Sequence, residues 1–319
     1  MLKIYPPSTR ASETTPVADG KPADRALWMD LVDPTEEERE QAKQFLGERL
    51  PTREETSAIE LSSRFRSSPT LLRVNIPSFV RAEKGHGAST PLGFMLTPHL
   101  LVTVRYADSL AFDKVIQGFG SDESPTCSDD VFMLLIESIV NVGSDRIESV
   151  SAKLSQLSQS VFSQSKAQRG MLRGSLYELG ALQRQITQVR AALVGVGRVV
   201  TFMCEVSPPW ISNELHTRFK TVHADIGALN EFEQQLSERL QFVLDAVLGF
   251  INNDQNDIMR VLTVVSVATV PPMILAGIWG MNFKSIPEYD WPHGYVFAWS
   301  MIILSILVPL GLFKLKKWL

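Results

Sequence analysis

Apolar residues along the chain fall into three regimes. Over the first 125 residues they gather in short runs broken by Gly, Pro and Asp; from Asp129 to Cys204 they recur every three or four residues; beyond Ile258 they form two nearly uncharged blocks. In the first regime Leu27 to Leu31 (LWMDL), Thr70 to Val80, Leu92 to Leu96 and Leu100 to Tyr106 read as strands, rich in Val, Leu and Phe. Glu36 to Leu46 and Asp108 to Phe119 read as helices, the former with Glu36, Glu37 and Glu38 at its positive end. Phe79, Phe94 and Tyr106 are expected in the core. The pattern predicts a mixed α/β domain over 1–125, the front of an α+β chain.

The second regime predicts an antiparallel pair of long helices over 126–207. Asp129 to about Ser165 carries Phe132, Leu135, Ile136, Ile139, Ile147, Val150, Leu154, Leu157 and Val161 at helical steps. Ser163 to Gly170 lacks an apolar face and reads as a turn; Met171 to Cys204 then repeats the pattern from Leu172 to Leu193. Pro208 and Pro209 end the pair, and Ser212 is placed to cap a third helix. No stop signal appears from there to Pro271-Pro272, so a long stalk helix is expected over 208–257. Its apolar positions Val222, Leu229, Phe232, Leu236, Leu240, Val243, Val247 and Phe250 should pack on its own domain and on neighbouring copies.

The two blocks at the end have the length a bilayer demands, about 20 apolar residues per helix. The first, 258–279, carries one charge, Arg260; the second, 295–313, carries none. A loop over 280–294 is too short for a domain, so the blocks form a hairpin of membrane helices, followed by a basic tail over 314–319. Arg260 flanks one end of the hairpin and Lys314, Lys316 and Lys317 the other, whereas the loop sets Lys284 against Glu288 and Asp290. Basic residues mark the inner side, so both termini are expected in the cytoplasm and the loop outside the inner (cell) membrane.

Composition narrows the function. The chain has 319 residues, a net charge of -4 and 45% hydrophobic residues, with the apolar weight at its end. Met1-Leu2-Lys3 leads into Pro6, Pro7 and a polar stretch instead of a secretory leader. Cys127 and Cys204 read as packing residues, and five scattered histidines show no metalloprotease spacing. With no Walker loop or dinucleotide fingerprint, neither an enzyme nor a primary pump is expected, nor a bound cofactor or a nucleic-acid partner.

Stepping through the first block by alternating three and four residues from Asn256 gives Met259, Thr263, Ser266, Val270, Met273, Gly277 and Gly280, a seam of small or weakly polar side chains. Leu262, Val264, Val265, Val267, Ile274, Leu275 and Ile278 flank it and suit lipid or helix contacts. A symmetric ring of such helices would line a narrow path. Small residues also simply let membrane helices approach, and spacing does not separate the two readings. Gly280-Met281-Asn282 ends the seam. A ring of neutral Asn oxygens suits a hydrated divalent ion, because Mg²⁺ gives up its water reluctantly; Asn282 reads equally well as a helix cap. Glu288 and Asp290 would add an acidic collar.

The end of the chain, QNDIMRVLTVVSVATVPPMILAGIWGMNFKSIPE with a second apolar run and the tail KLKKWL, resembles the CorA magnesium transporters, as do WMDLVDPTEEE and LLVTVRYAD near the front. The resemblance implies a funnel-shaped homopentamer, with Gly280, Met281 and Asn282 as the selectivity motif. It also implies an inner pore lined by Asn256 and Met259 with Leu262, in place of the adjoining Thr263, at its constriction, and Glu288 as the outer-loop acid. Trp279, Pro272, Met273 and Lys284 depart from the family pattern, and Thr221 stands where some members carry a stalk aspartate that helps bind inhibitory Mg²⁺; Asp225 lies one turn away. The expected function is Mg²⁺ uptake driven by membrane potential, with Co²⁺ or Ni²⁺ also carried, and with Asp225 or Glu231 holding regulatory Mg²⁺. A zinc transporter of the related branch, with proton coupling as one option, is the alternative, and a non-conducting membrane scaffold is the third.

Overall fold

The structure, a computed structural model, describes residues 1–6, 26–57, 65–79, 89–119, 125–163, 169–205, 208–282 and 286–316. It divides into two compact units: 1–167 with 173–243, and 168–172 with 244–319. In the first, six strands form one sheet: β1 (Leu2–Tyr5), β2 (Trp28–Val32), β3 (Phe65–Ser67), β4 (Leu72–Phe79), β5 (Ser89–Leu96) and β6 (Leu101–Arg105). Their order is β1-β2-β6-β5-β4-β3, with β2 and β6 parallel and the other neighbours antiparallel. The strands expected at 70–80, 92–96 and 100–106 correspond to β4, β5 and β6, although Val80 lies outside the described residues. β1 and β3 were not anticipated; each is short and takes its conformation from a neighbouring strand.

Helix α1 (Glu36–Leu46) matches its expected extent because local chemistry sets both ends. Thr35 and Glu38 form a reciprocal capping box, and Gly47 closes the helix at φ 72°. Helix α2 (Arg53–Ser57) follows. One face of the sheet presents Met29, Leu31, Met95, Val102 and Val104 to a core that includes Ala42 of α1 and Leu50. On the other, Trp28 meets Phe112 of α3 (Leu110–Gly118) and Phe94 meets Phe132 of α4 (Ser128–Ser163). Both faces are therefore covered, which is why LWMDL alternates only weakly. Phe79 and Phe94 are buried as expected; Tyr106 is half-buried, and its hydroxyl accepts a bond from Arg39.

Within this sheet sits one buried charge pair. Asp30 and Arg105 come from adjacent parallel strands, and the carboxylate accepts from Nε and Nη2 of Arg105 (2.8 Å to the latter) and from the Thr103 hydroxyl at 2.8 Å. Trp28 donates to Thr103 at 3.0 Å, and the guanidinium lies 4.8 Å from the Phe112 ring centre. Burial lowers the pKa of Arg105, but the Asp30 carboxylate outweighs it and holds the group above its ordinary value. The same burial, helped by Asp30, pushes the Tyr5 hydroxyl up to about 12.

Helices α4, α5 (Arg169–Glu205) and the first part of α6 (Asn213–Trp279) build a bundle. α5 runs antiparallel to α4: Gly143 faces Leu193, while Leu157 lies across from Leu182. Antiparallel to α5 in turn, α6 joins it through the Arg190–Glu233 ion pair at 2.8 Å and the contact of Gly197 with Ile226. Arg218 then reaches Glu137 of α4 at 2.6 Å, and that bond, more than the neighbouring charges, raises its pKa. Ser212 caps α6 as expected, its hydroxyl accepting from Leu215 N–H. Of the apolar seam of α6, Val222, Leu236, Leu240, Val243 and Val247 are buried within the chain. Phe232 and Phe250 are exposed and Leu229 is half-buried, while Glu233 is buried beside Arg190 and bonded to Ser237. The turn expected at 163–170 falls largely on residues outside those described.

Removing one partner of a buried pair strands the other charge, at a cost of roughly 3–5 kcal/mol. Asp30→Ala should therefore lower the melting temperature of the purified full chain far more than Glu36→Ala, whose side chain is exposed; equal melting curves would contradict this account of the sheet.

Candidate functional site

The second unit holds the end of α6, a short 3₁₀ turn at Pro287–Asp290 and α7 (Gly294–Leu315). By length and composition α6 and α7 can cross a membrane; α5 also passes that test, but half of its apolar window is buried in the bundle, whereas none of theirs is. α6 stays helical through Pro271 and Pro272. Each proline lacks an N–H, so the carbonyls of Val267 and Ala268 lose their usual partners.

Exposure divides α6 into two sides. Asn256, Met259, Leu262, Ser266, Val270, Met273, Gly277 and Gly280 are all exposed on the single chain. Val264, Val267, Ala268, Pro271, Leu275 and Trp279 are half-buried, and Trp279 meets Phe297 of α7 edge-on at 6.4 Å. Thr263 departs from the seam: it is half-buried and its hydroxyl donates to the Met259 carbonyl at 2.7 Å, while Leu262 is 56% exposed. Back-bonding of this kind consumes the only donor the side chain has.

At the end of α6, Gly280 N–H donates to Ala276 O at 3.0 Å and Met281 N–H to Ile278 O at 3.3 Å. A Cβ at Gly280 would come within 3.1 Å of the Ala276 oxygen, so glycine allows the last turn to close tightly. Backbone amides thus end the helix without a left-handed residue, and Asn282 is exposed beyond it. In the loop Glu288 is half-buried and Asp290 exposed; Lys284 lies outside the described residues. The Glu288 carbonyl accepts from Trp291 N–H at 3.4 Å, and a Cβ on Gly294 would overlap that same oxygen. Trp291, Tyr295 and Trp299 line one pocket with Glu288, a grouping absent from the expectations above. The signal available was WPHGYVFAW, aromatic residues spaced four apart at the end of an apolar block.

Asp225 and Glu231 are both exposed on α6. Six residues separate them, about 240° around the helix and 9 Å along it, so they cannot share an ion within one chain. Thr221 bonds back to Thr217 O at 3.3 Å. Among the described residues no three His, Cys, Asp or Glu side chains gather as a metal site. Cys127 and Cys204 are half-buried and unpaired in any disulfide; burial, reinforced by Asp129 and Asp130, pushes the Cys127 thiol up to about 12, which leaves it a poor nucleophile.

The family model for CorA-like Mg²⁺ transporter proteins matches residues 23–317, the two spanning helices and the Gly-Met-Asn end of α6 included. The chain belongs to that family. It is 29% identical over 305 residues to the magnesium transport protein CorA of Escherichia coli (strain K12), covering 95% of each chain. The CorA magnesium transporter structure from Methanocaldococcus jannaschii superimposes with a TM-score of 0.72 at 17% identity, over 100% of this chain and 98% of that one. The ZntB cytoplasmic domain from Vibrio parahaemolyticus gives 0.54 at 14% identity, over 72% and 88%, a likeness of fold alone. The mixed sheet and long helices of this CorA-family transporter are thus those of its structural relatives.

Because Gly294 leaves no room for a side chain against the Glu288 carbonyl, Gly294→Val should force the loop out of its turn, at roughly 1–3 kcal/mol of strain. A lower melting temperature together with red-shifted tryptophan emission is expected; unchanged emission and melting would show that the loop does not depend on this approach.

Proposed function

We propose that the chain is one subunit of a homopentamer in the inner (cell) membrane, with both termini cytoplasmic, that conducts Mg²⁺ inward under the membrane potential. Residues 258–279 are its pore helix, 280–294 its outer loop and 295–313 its outer helix. The reading rests chiefly on the exposed side of α6. Asn256, Met259, Ser266, Val270, Met273 and Gly277 are exposed on the single chain, with Val261, Val265, Ile274 and Ile278 beside them, and the helix ends next to the exposed Asn282. Two helices per chain cannot enclose a weakly polar path, so the face requires other copies. Between the two adjoining candidates, the bonded Thr263 hydroxyl favours Leu262 as the residue offered to the axis, and with it an apolar constriction.

Entry of a doubly charged ion is favoured by about 4.6 kcal/mol per 100 mV, so ATP is not needed. Neutral Asn282 oxygens hold the hydration shell without stripping it, which also admits Co²⁺ or Ni²⁺. For regulation, Asp225 or Glu231 would bind Mg²⁺ between subunits, since one chain cannot bring them together; loss of that ion at low internal Mg²⁺ would release the closed state. The alternative, a zinc transporter with proton coupling, draws on Lys284 and the altered pore residues. Zinc favours His and Cys ligands, and the described seam has neither.

In liposomes loaded with a Mg²⁺ indicator, wild type should show uptake that follows an imposed potential, and Asn282→Ala should lower it by roughly tenfold or more, the worth of one charge-assisted contact to the hydration shell. Uptake of Zn²⁺ under a pH gradient with no Mg²⁺ flux would select the alternative, and equal fluxes in wild type and mutant would remove Asn282 from the selectivity site. Separately, Asp225→Ala should weaken inhibition by internal Mg²⁺; an unaltered inhibition curve would discard that residue.

A further inference from the structure

Beside the turn that Gly294 permits, Trp279, Trp291, Tyr295 and Trp299 line an open pocket of about 480 Å³ together with Glu288. Phe297 braces it, its ring 5.5 Å from Trp291 and 6.4 Å from Trp279 in edge-on contacts. The volume lies within the range of small-ligand sites, about 300–1,000 Å³.

The lining is selective by chemistry. Indole and phenol faces are electron-rich and attract a cation that carries hydrocarbon on its surface, whereas they offer no oxygen cage for a metal ion. A single carboxylate supplies the counter-charge and repels anions. An alkylammonium group satisfies both features, placing its charge near Glu288 and its methylenes against the rings. On its other side the pocket opens along Ala276, Ala298 and Ile302, between the two helices apolar enough to span a bilayer. Aromatic residues at the ends of such helices stand at head-group depth. An acyl chain therefore has an apolar path directly below the site that holds the ammonium.

We propose that this pocket binds the ammonium head group of a zwitterionic lipid, with Glu288 as counter-ion and the three tryptophans and Tyr295 as its walls. Its aromatic wall is set apart from the ion path proposed above, because Trp279 lies on the half-buried side of α6, while Ala276 of the lining adjoins Met273 and Gly280. Occupied, it would also neutralise one of the two carboxylates of the outer loop.

Native mass spectrometry of the full chain in detergent, titrated with phosphatidylethanolamine or phosphatidylglycerol, tests this without reference to ion flux. Phosphatidylethanolamine should be retained in preference, and Glu288→Gln and Trp299→Ala should each weaken that retention on the order of tenfold, leaving phosphatidylglycerol unchanged. Trp299→Phe, which keeps an aromatic face, should retain most of the binding. Displacement by choline chloride would show that the head group alone suffices, and resistance to it that the acyl chain contributes; both agree with the assignment. Equal retention of the two lipids by wild type, unaltered retention in Glu288→Gln, or equal loss in Trp299→Phe and Trp299→Ala would overturn it.

Discussion

Inside a bilayer an unsatisfied backbone group is costly, and this constraint favours a helix at the end of α6, where only the Val267 and Ala268 carbonyls lose their usual partners to Pro271 and Pro272. It keeps the segment helical through Pro271 and Pro272, where a water-exposed chain would end its helix. A helix held that way shows side chains on all sides; Val264, Val267, Pro271 and Leu275 are half-buried, and Trp279 meets Phe297 of α7. Facing out are the seam of small, weakly polar and methionine side chains and, beside it, Val261, Leu262, Val265, Ile274 and Ile278. Lipid is a poor solvent for Ser266 within the spanning segment, which is why the proposed function gives this side of α6 to further copies.

The first unit meets different demands. Its sheet is buried on both faces, and the charge it encloses is matched by Arg105 and Thr103, with Trp28 donating in turn to Thr103. α6 enters this unit as the third helix of a bundle, fixed by polar contacts as well as apolar ones: Arg190 with Glu233 and Arg218 with Glu137. Breaking either contact strands a charge that is wholly or partly buried. These pairs therefore set the register of α6 against its neighbours.

How much of this could be read from sequence depended on how local its cause is. Glu36–Leu46 was legible because Thr35, Glu38 and Gly47 mark its ends, and Ser212 because a hydroxyl before a long helix is a local signal. β1 and β3 were not, since each exists only through a partner strand. By spacing Phe232 belongs to the stalk seam and Glu233 does not; a carboxylate in that seam is tolerated only because Arg190, 43 residues away, meets it. In the candidate site every residue of the three- and four-residue step except Thr263 is exposed, but so are Leu262, Val265, Ile274 and Ile278 beside it. Leu262 and Thr263 stand about 100° apart, too close for periodicity to decide, and the bond from Thr263 to Met259 distinguishes them. The aromatic pocket that Glu288 helps to line stayed hidden because it depends on the close approach at Gly294.

The central claim is that one side of α6 lines a water-filled path shared between copies. Single cysteines placed along 259–277 after replacing Cys127 and Cys204 with serine, then exposed in liposomes to a charged methanethiosulfonate reagent, test it most directly. Reaction at Met259, Ser266, Val270, Met273 and Gly277 that blocks Mg²⁺ flux, with Val264, Val267 and Leu275 inert, is the pattern predicted. Reaction spread evenly around the helix, or confined to the side that packs on α7, would contradict the account.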